Sequence, residues 1–218
     1  MRSIKVNLDR KSSSSYEIRI GKDISDRLSL LIAKNHKAAR YAVITDNIVG
    51  ELYGKKFLTA LKEIGLNASL IDFPAGESSK TIKTVVDIAE TLAVSGADRE
   101  TCLIALGGGV VGDIAGFVAS IYMRCVPYIQ IPTTLVAQVD SSIGGKTGVD
   151  LPCGKNLAGT FYQPQAVMTS LHFLNTLPPK EFNNGLAEII KYGVIDDEKM
   201  FASLEDIMTA VKSKDPKI

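Results

Sequence analysis

Apolar and polar positions along this chain alternate between two periods. Short runs with a period of two, or with no polar break, are separated by longer stretches with helical spacing. Ile4 to Leu8 and Tyr16 to Ile20 alternate apolar and polar residues, as half-buried strands do. Between them Lys11 and the serines 12–15 read as a hairpin loop. Ile24 to Leu31 carries Ile24, Leu28 and Leu31 at helical spacing, and Tyr41 to Asp46 is a continuous apolar strand closed by an acid. The pattern then predicts a helix over Val49 to Ile64 with Leu52, Leu58, Leu61 and Ile64 in the core. A strand over Ala68 to Phe73 follows, then a Pro–Gly-containing loop to Lys80, and a helix from Thr81 to Val94 ended by Gly96. Cys102 to Leu106 is a buried strand, and Tyr128 to Ile131 another that ends on Pro132-Thr133-Thr134. Leu135 to Asp140 reads as a short helix, and residues 141–167 as a glycine-rich, partly extended region. After Leu177-Pro178-Pro179, a helix runs from Lys180 to about Val194 and an amphipathic one from Asp197 to Lys212. Strands alternating with helices over short connections predict an α/β fold with a parallel sheet, whose ligands bind at the carboxyl ends of the strands.

The loop after Leu106 organises this reading. Gly107-Gly108-Gly109-Val110-Val111-Gly112-Asp113 places four glycines in six positions between a strand and a helix. Glycine costs roughly 0.5–1 kcal/mol against alanine inside a regular element, so these residues shape a turn. Backbone N–H groups at such a turn, with the positive end of the following helix, suit a phosphate or pyrophosphate. A plain tight turn is the alternative. Gly107, Gly109 and Gly112 match the dinucleotide fingerprint in spacing, but its acid about 20 residues further on is missing. Asp140 lies 27 residues beyond Asp113, and the acid-closed strand at Asp46 precedes the glycines. The pattern therefore implies a nucleotide or phosphate loop on a sheet of different strand order, on which Asp46, Ala75 to Lys80 and the glycine loop converge.

Composition narrows the class. The 218 residues are 45% hydrophobic and 22% charged with a net charge of +1, which gives no global field for nucleic acid or an anionic membrane. Cys102, Cys125 and Cys153 are odd in number and widely spaced, so neither a disulfide framework nor a cysteine metal site is indicated. The apolar stretch from Cys102 to Met123 is broken by glycines and Asp113 and is not a membrane span. Met1 to Arg10 lacks an apolar signal core, and a cytoplasmic protein is the expectation.

Two further features bear on chemistry. Gly145-Lys146-Thr147 suggests a phosphate loop, but Ser141 stands where its first glycine is required. Lys146 is then either a solvated residue or a point charge for an anion. Glu188 and Lys191 share a helix face. They could be a surface ion pair, but the flanking Leu186, Ala187, Ile189, Ile190 and Tyr192 predict that part of the pair is buried.

Gly107–Asp113, Pro132-Thr133-Thr134-Leu135, Asp140–Thr147, Gly154-Lys155-Asn156, Phe161-Tyr162-Gln163-Pro164, Thr176-Leu177-Pro178 and Ala187–Gly193 carry, by their order and spacing over the chain from about Asp46 to Gly193, a resemblance to the 3-dehydroquinate synthase family. It implies a Rossmann-like NAD-binding domain over residues 1–177 and the first helices of a helical domain over 178–218. It also implies a lyase of the shikimate pathway, which converts 3-deoxy-arabino-heptulosonate 7-phosphate to 3-dehydroquinate and phosphate. In that chemistry a ring hydroxyl is oxidised by hydride transfer to NAD and phosphate is eliminated. The hydride then returns, and an aldol step closes the carbocycle. By motif, NAD would be surrounded by Asp46, Gly76, Glu77, Lys80, Gly108, Gly109, Val110, Gly112, Asp113, Thr133, Thr134, Lys146, Lys155, Phe173 and Thr176. Asp140, Lys146, Asn156 and Lys191 would meet substrate, and Arg124 would reach the substrate phosphate of a partner subunit in a homodimer. Glu188 would be the carboxylate ligand of a zinc or cobalt ion. Ser170-Leu171 departs from the acid the family often has before that leucine. The family's two zinc histidines lie in a later helical domain. His36 and His172, the two histidines present, do not occupy those motifs. The resemblance thus implies an N-terminal portion that is inactive, or nearly so, alone. A sister sugar-phosphate cyclase such as 2-deoxy-scyllo-inosose synthase, a dehydrogenase of the glycerol dehydrogenase type, and a non-catalytic NAD-binding module are the alternatives.

Overall fold

The computed structural model describes residues 15–22 and 24–212; the expected strand over Ile4 to Leu8 lies outside them. Eight strands and seven α-helices follow in chain order among these residues. The main sheet contains β1 (Glu17–Gly21), β2 (Arg40–Asp46), β3 (Ala68–Phe73), β4 (Thr101–Gly107), β5 (Tyr128–Pro132) and β8 (Ala166–Ser170). Its order is β1-β8-β5-β4-β2-β3, with every neighbouring pair parallel. The glycine-rich region forms a separate antiparallel hairpin, β6 (Lys146–Leu151) and β7 (Gly154–Phe161).

The three central strands β4, β5 and β8 are buried along their whole length. This accounts for their unbroken apolar runs, because a parallel strand covered on both faces has no polar side. On one face, α4 (Ile82–Val94) and α5 (Gly109–Ile121) pack Val85, Ile88, Leu92, Ile114 and Val118 against Ala42, Ile44, Leu103 and Ala105. On the other, α1 (Leu28–Asn35) and α3 (Lys55–Glu63) pack Leu28, Ile32, Phe57 and Leu61 against Tyr41, Val43, Ile104 and Ile129. A third, smaller core joins Leu135 to Leu177, Phe182 and Leu186 of α6 (Pro179–Ile195), with Met208 of α7 (Glu198–Lys212) beside it.

Three sequence expectations are corrected. The helix after β2 starts with α2 (Asn47–Val49), passes through a π-helical turn over Gly50–Gly54 and continues as α3. A π turn adds a residue to the repeat and rotates the apolar face. Phe57 and Leu61 are buried, whereas Leu52 is 50% exposed and Ile64, past the last turn, 37%. The helix expected from Ile24 begins as a 3-10 turn and becomes α-helical only at Leu28. In β1, the terminal strand of the sheet among the described residues, Ile18 and Ile20 are exposed instead of half-buried.

Strand order places the site. From β2 the chain moves outward to β3, then crosses back to lay β4 on the other side of β2. Connections leaving β2 and β4 therefore diverge at their carboxyl ends, which opens a crevice there.

Candidate functional site

Asp46 ends β2 and caps α2, its Oδ1 accepting the N–H groups of Ile48 and Val49 at 2.9 Å each. Gly107 ends β4, and Gly108 is the N-cap of α5 with no side-chain cap bond. The first N–H groups of this thirteen-residue helix are thus left to an outside acceptor. The turn tolerates little beyond glycine. A Cβ on Gly108 would lie 2.9 Å from Thr134 Cγ2, and one on Gly109 would lie 3.0 Å from Ser141 Oγ. Gly112, one turn on, instead packs against Gln130 and faces the sheet.

A cavity of about 710 Å³ lies over these strand ends. Twelve of the residues expected around a cofactor line it: Asp46, Gly76, Glu77, Lys80, Gly108, Gly109, Val110, Asp113, Thr133, Thr134, Phe173 and Thr176. Its wall also carries Tyr53, whose hydroxyl is 2.5 Å from Thr176 Oγ1 and whose ring meets Phe173 edge-on at 4.9 Å. Thr133 Oγ1 and Ser141 Oγ, both shielded from solvent, have no hydrogen-bond partner among the described residues. Gly112 does not line the cavity, and neither does Lys155, which pairs with Glu77 at 3.1 Å.

A second cavity, about 450 Å³, adjoins the first. Asp140, Lys146 and Asn156 line it, together with Asp113 and Ser141, which belong to both walls. Lys146 is exposed at the start of β6 and makes no ion pair among the described residues. Asp140 accepts a 2.6 Å bond from the Tyr192 hydroxyl of α6, and this bond pushes the Tyr192 phenol up from its ordinary value. Glu188 and Lys191 form an ion pair on the same helix, and Lys191 also lies over the Tyr192 ring, 4.9 Å from its centre. The hydrogen bond to Glu188 raises the Lys191 ammonium pKa. Glu188 is half-buried, as the apolar flanks predict for part of the pair, Lys191 is exposed, and neither member lines either cavity.

Between the cavities sits Lys80, a cation only 5% exposed. Its Nζ lies 2.6 Å from Asp113 Oδ2 and 2.5 Å from Asn156 Oδ1. Burial raises the Asp113 carboxyl, and Lys80 opposes that shift by hydrogen bond and charge. Arg124 is remote from this place. It follows α5 at the opposite end of the sheet, in a run where Met123, Arg124 and Cys125 all have positive φ. Among the described residues no three His, Cys, Asp or Glu side chains converge on a metal-sized site. Nor is any helix of the described residues long and apolar enough to cross a membrane.

Sequence reasoning missed Ser141, Tyr53 and Tyr192. Ser141 stands inside Asp140–Thr147 and could have been found as a polar residue at a strand-end loop. The two tyrosines read as ordinary helix residues, because their partners lie 123 and 52 positions away.

Comparison with known proteins bears on the same residues. The family model described as 3-dehydroquinate synthase N-terminal matches residues 70–184, more than half of the chain. A 3-dehydroquinate synthase of Acidithiobacillus ferrooxidans is 48% identical over 99% of the chain. The chain spans 58% of the length of that relative. Among solved structures, the 2-epi-5-epi-valiolone synthase ValA of Streptomyces hygroscopicus subsp. jinggangensis, with NAD+ and Zn2+ bound, superposes with a TM-score of 0.84 at 30% identity. That match covers 98% of this chain and 57% of the other. A 2-deoxy-scyllo-inosose synthase complexed with carbaglucose-6-phosphate, NAD+ and Co2+ gives a TM-score of 0.74 at 29% identity, covering 80% and 47%. The family match falls on the segment that builds the crevice, and the whole-chain identity extends it to both ends; the chain belongs to the 3-dehydroquinate synthase family.

Proposed function

We propose that this chain forms the cofactor- and substrate-binding part of a 3-dehydroquinate synthase acting on 3-deoxy-arabino-heptulosonate 7-phosphate. The observation that carries the reading is the shared wall. Asp113 and Ser141 face both cavities, so a sugar carbon held in the smaller one abuts whatever fills the larger one.

NAD fits the larger cavity by three features of this chain. The uncapped start of α5 offers N–H groups to a pyrophosphate. Gly108 and Gly109 keep the approach clear of side chains. Thr133 and Ser141 hold hydroxyls without partners among the described residues. When bound, NAD+ supplies a reversible hydride acceptor for one substrate hydroxyl, and the resulting carbonyl acidifies the neighbouring carbon. The chain's own residues do the rest. Lys146 contributes to the smaller cavity a cation without an ion-pair partner among the described residues, suited to stabilising negative charge as phosphate departs. Asn156 and Asp140 offer an amide and a carboxylate to the sugar hydroxyls, with Asp140 oriented by Tyr192. The Lys80–Asp113 pair keeps the partition polar and fixed.

Lys191 belongs to this reading as a second cation beside Asp140, and Arg124 as a contribution across a homodimer. Glu188 provides one carboxylate towards a metal ion. Zinc or cobalt does not fit the described residues by themselves, since no three potential ligands converge among them. We place the boundary between the NAD-binding part and the helical part after residue 177, where Pro178 and Pro179 open α6.

Calorimetric titration of the heptulosonate phosphate into the NAD+-saturated chain tests this. Binding that Lys146→Met and Asn156→Ala each weaken by about tenfold, with NAD+ affinity unchanged, is the expected result. Failure of NAD+ to bind, or sugar-phosphate binding indifferent to both substitutions, overturns it. Tighter binding of glucose 6-phosphate would favour a cyclase of the inosose synthase kind.

A further inference from the structure

Asp150, which lines neither cavity, closes a ring of three hydrogen bonds around their partition. Its backbone N–H donates to the Lys80 carbonyl at 2.8 Å. The Lys80 ammonium donates to Asn156 Oδ1 at 2.5 Å. The Asn156 N–H donates back to Asp150 Oδ1 at 2.7 Å. Each member thereby fixes the next. We infer that Asp150 is a positioning residue, holding Asn156 in the conformation that aims its amide at Lys80 and the sugar-phosphate cavity.

The hairpin explains why a side chain is needed there. Val149 pairs with Ala158 and Leu151 with Gly154, so Lys155, Asn156 and Leu157 together oppose the single residue Asp150. Such a bulge takes its residues out of the ladder and leaves N–H groups without strand partners. The Asp150 carboxylate replaces the missing acceptor for Asn156. Asn156 has φ +56°, a left-handed conformation that asparagine tolerates better than most residues but that still needs support. The backbone of Asp150 bridges to Thr81 in parallel, which ties the hairpin to the loop leading into α4. Asp150 thus links the loop that lines the NAD cavity to the strand that lines the substrate cavity. The aspect that concerns ligands rests on the function proposed above.

Two substitutions separate the acceptor from the charge. Asp150→Ala removes both, and Asp150→Asn keeps an oxygen in place. The first readout needs no ligand. Hydrogen exchange at the Asn156 amide should accelerate at least tenfold in Asp150→Ala and stay near the parent rate in Asp150→Asn. The second readout is the affinity of the NAD+-saturated full chain for 3-deoxy-arabino-heptulosonate 7-phosphate. Asp150→Ala should weaken it by about tenfold, Asp150→Asn by less than about threefold, and NAD+ binding should remain within about twofold in both. In an Asn156→Ala background, Asp150→Ala should cost nothing further, because its effect runs through Asn156. Equal losses in the Ala and Asn variants, an unchanged Asn156 amide, or additive losses in the double variant would each overturn the positioning role. If the parent binds neither NAD+ nor the sugar phosphate while the Asn156 amide responds as described, the functional reading falls and the positioning of Asn156 stands.

Discussion

Replacing Lys80 by methionine tests the partition between the cavities. The substitution keeps the apolar stem and removes the ammonium. In the parent, the Lys80 side chain is 6% exposed and that of Asp113 20%, with 2.6 Å between Nζ and Oδ2. Removing one partner of a buried ion pair costs about 3–5 kcal/mol, because the other charge is left uncompensated. Asp113 keeps some access to water, so about 2–3 kcal/mol is expected near neutral pH. The pH dependence carries more information than the size. Burial already lifts the Asp113 carboxyl above its ordinary value, and Lys80 is the group that opposes the shift. Without Lys80 the folded-state pKa rises further. A carboxyl raised by folding contributes stability that is complete below its unfolded pKa and lost as pH climbs through the folded one. The penalty in Lys80→Met should therefore be largest at neutral pH and shrink towards the ordinary carboxylate range. Urea unfolding of parent and variant at about pH 7.5 and about pH 5 measures the difference, and Asp113→Asn in the variant background should abolish its pH dependence. A penalty equal at both pH values, or below about 0.5 kcal/mol, would refute the reasoning, since that is the range of an ordinary surface change.

Gly108→Val should weaken NAD+ binding by more than about tenfold in calorimetry, because its side chain enters the cavity and presses on Thr134. It should leave the circular dichroism of the chain unchanged. Gly185→Leu should destabilise by about 1–3 kcal/mol in urea, since a Cβ at that position of α6 already comes within 2.4 Å of Leu135. The larger cavity should survive that change, so the loss would fall on stability and not on NAD+ affinity. Cys102 is buried and its thiol is pushed up to about 12, whereas Cys125 and Cys153 are exposed. A thiol-reactive dye should therefore modify two cysteines in the native chain and a third only on unfolding.

The crevice was legible in the sequence because it is built from backbone requirements. A continuous apolar run ending in glycines can hardly be anything except a buried strand and a tight turn, and β4 with α5 is what forms. Asp46 was legible as the close of a strand for the same reason. The partition was not. Lys80 was legible as part of a strand-end loop facing the cofactor, but its burial depends on Asn156, 76 positions away, and on Asp113. Local pattern cannot register such partners. The exposed Leu52 is a related failure: one π turn rotated a face that was otherwise read correctly. For Glu188 and Lys191 the apolar neighbours suggested that part of the pair is buried, and Glu188 is half-buried while Lys191 is exposed. Lys146, left open between solvent and anion, is exposed but stands on a cavity wall.

The most direct measurement is a titration of the isotopically labelled chain with NAD+, followed by amide chemical shifts. The largest shifts should fall on Gly108, Gly109 and Val110 at the start of α5, with Gly76 and Thr134 moving in step and the β6–β7 hairpin little affected. Saturating shifts centred elsewhere, or none at millimolar NAD+ from a folded chain, would contradict the claim that the glycine loop is the cofactor site.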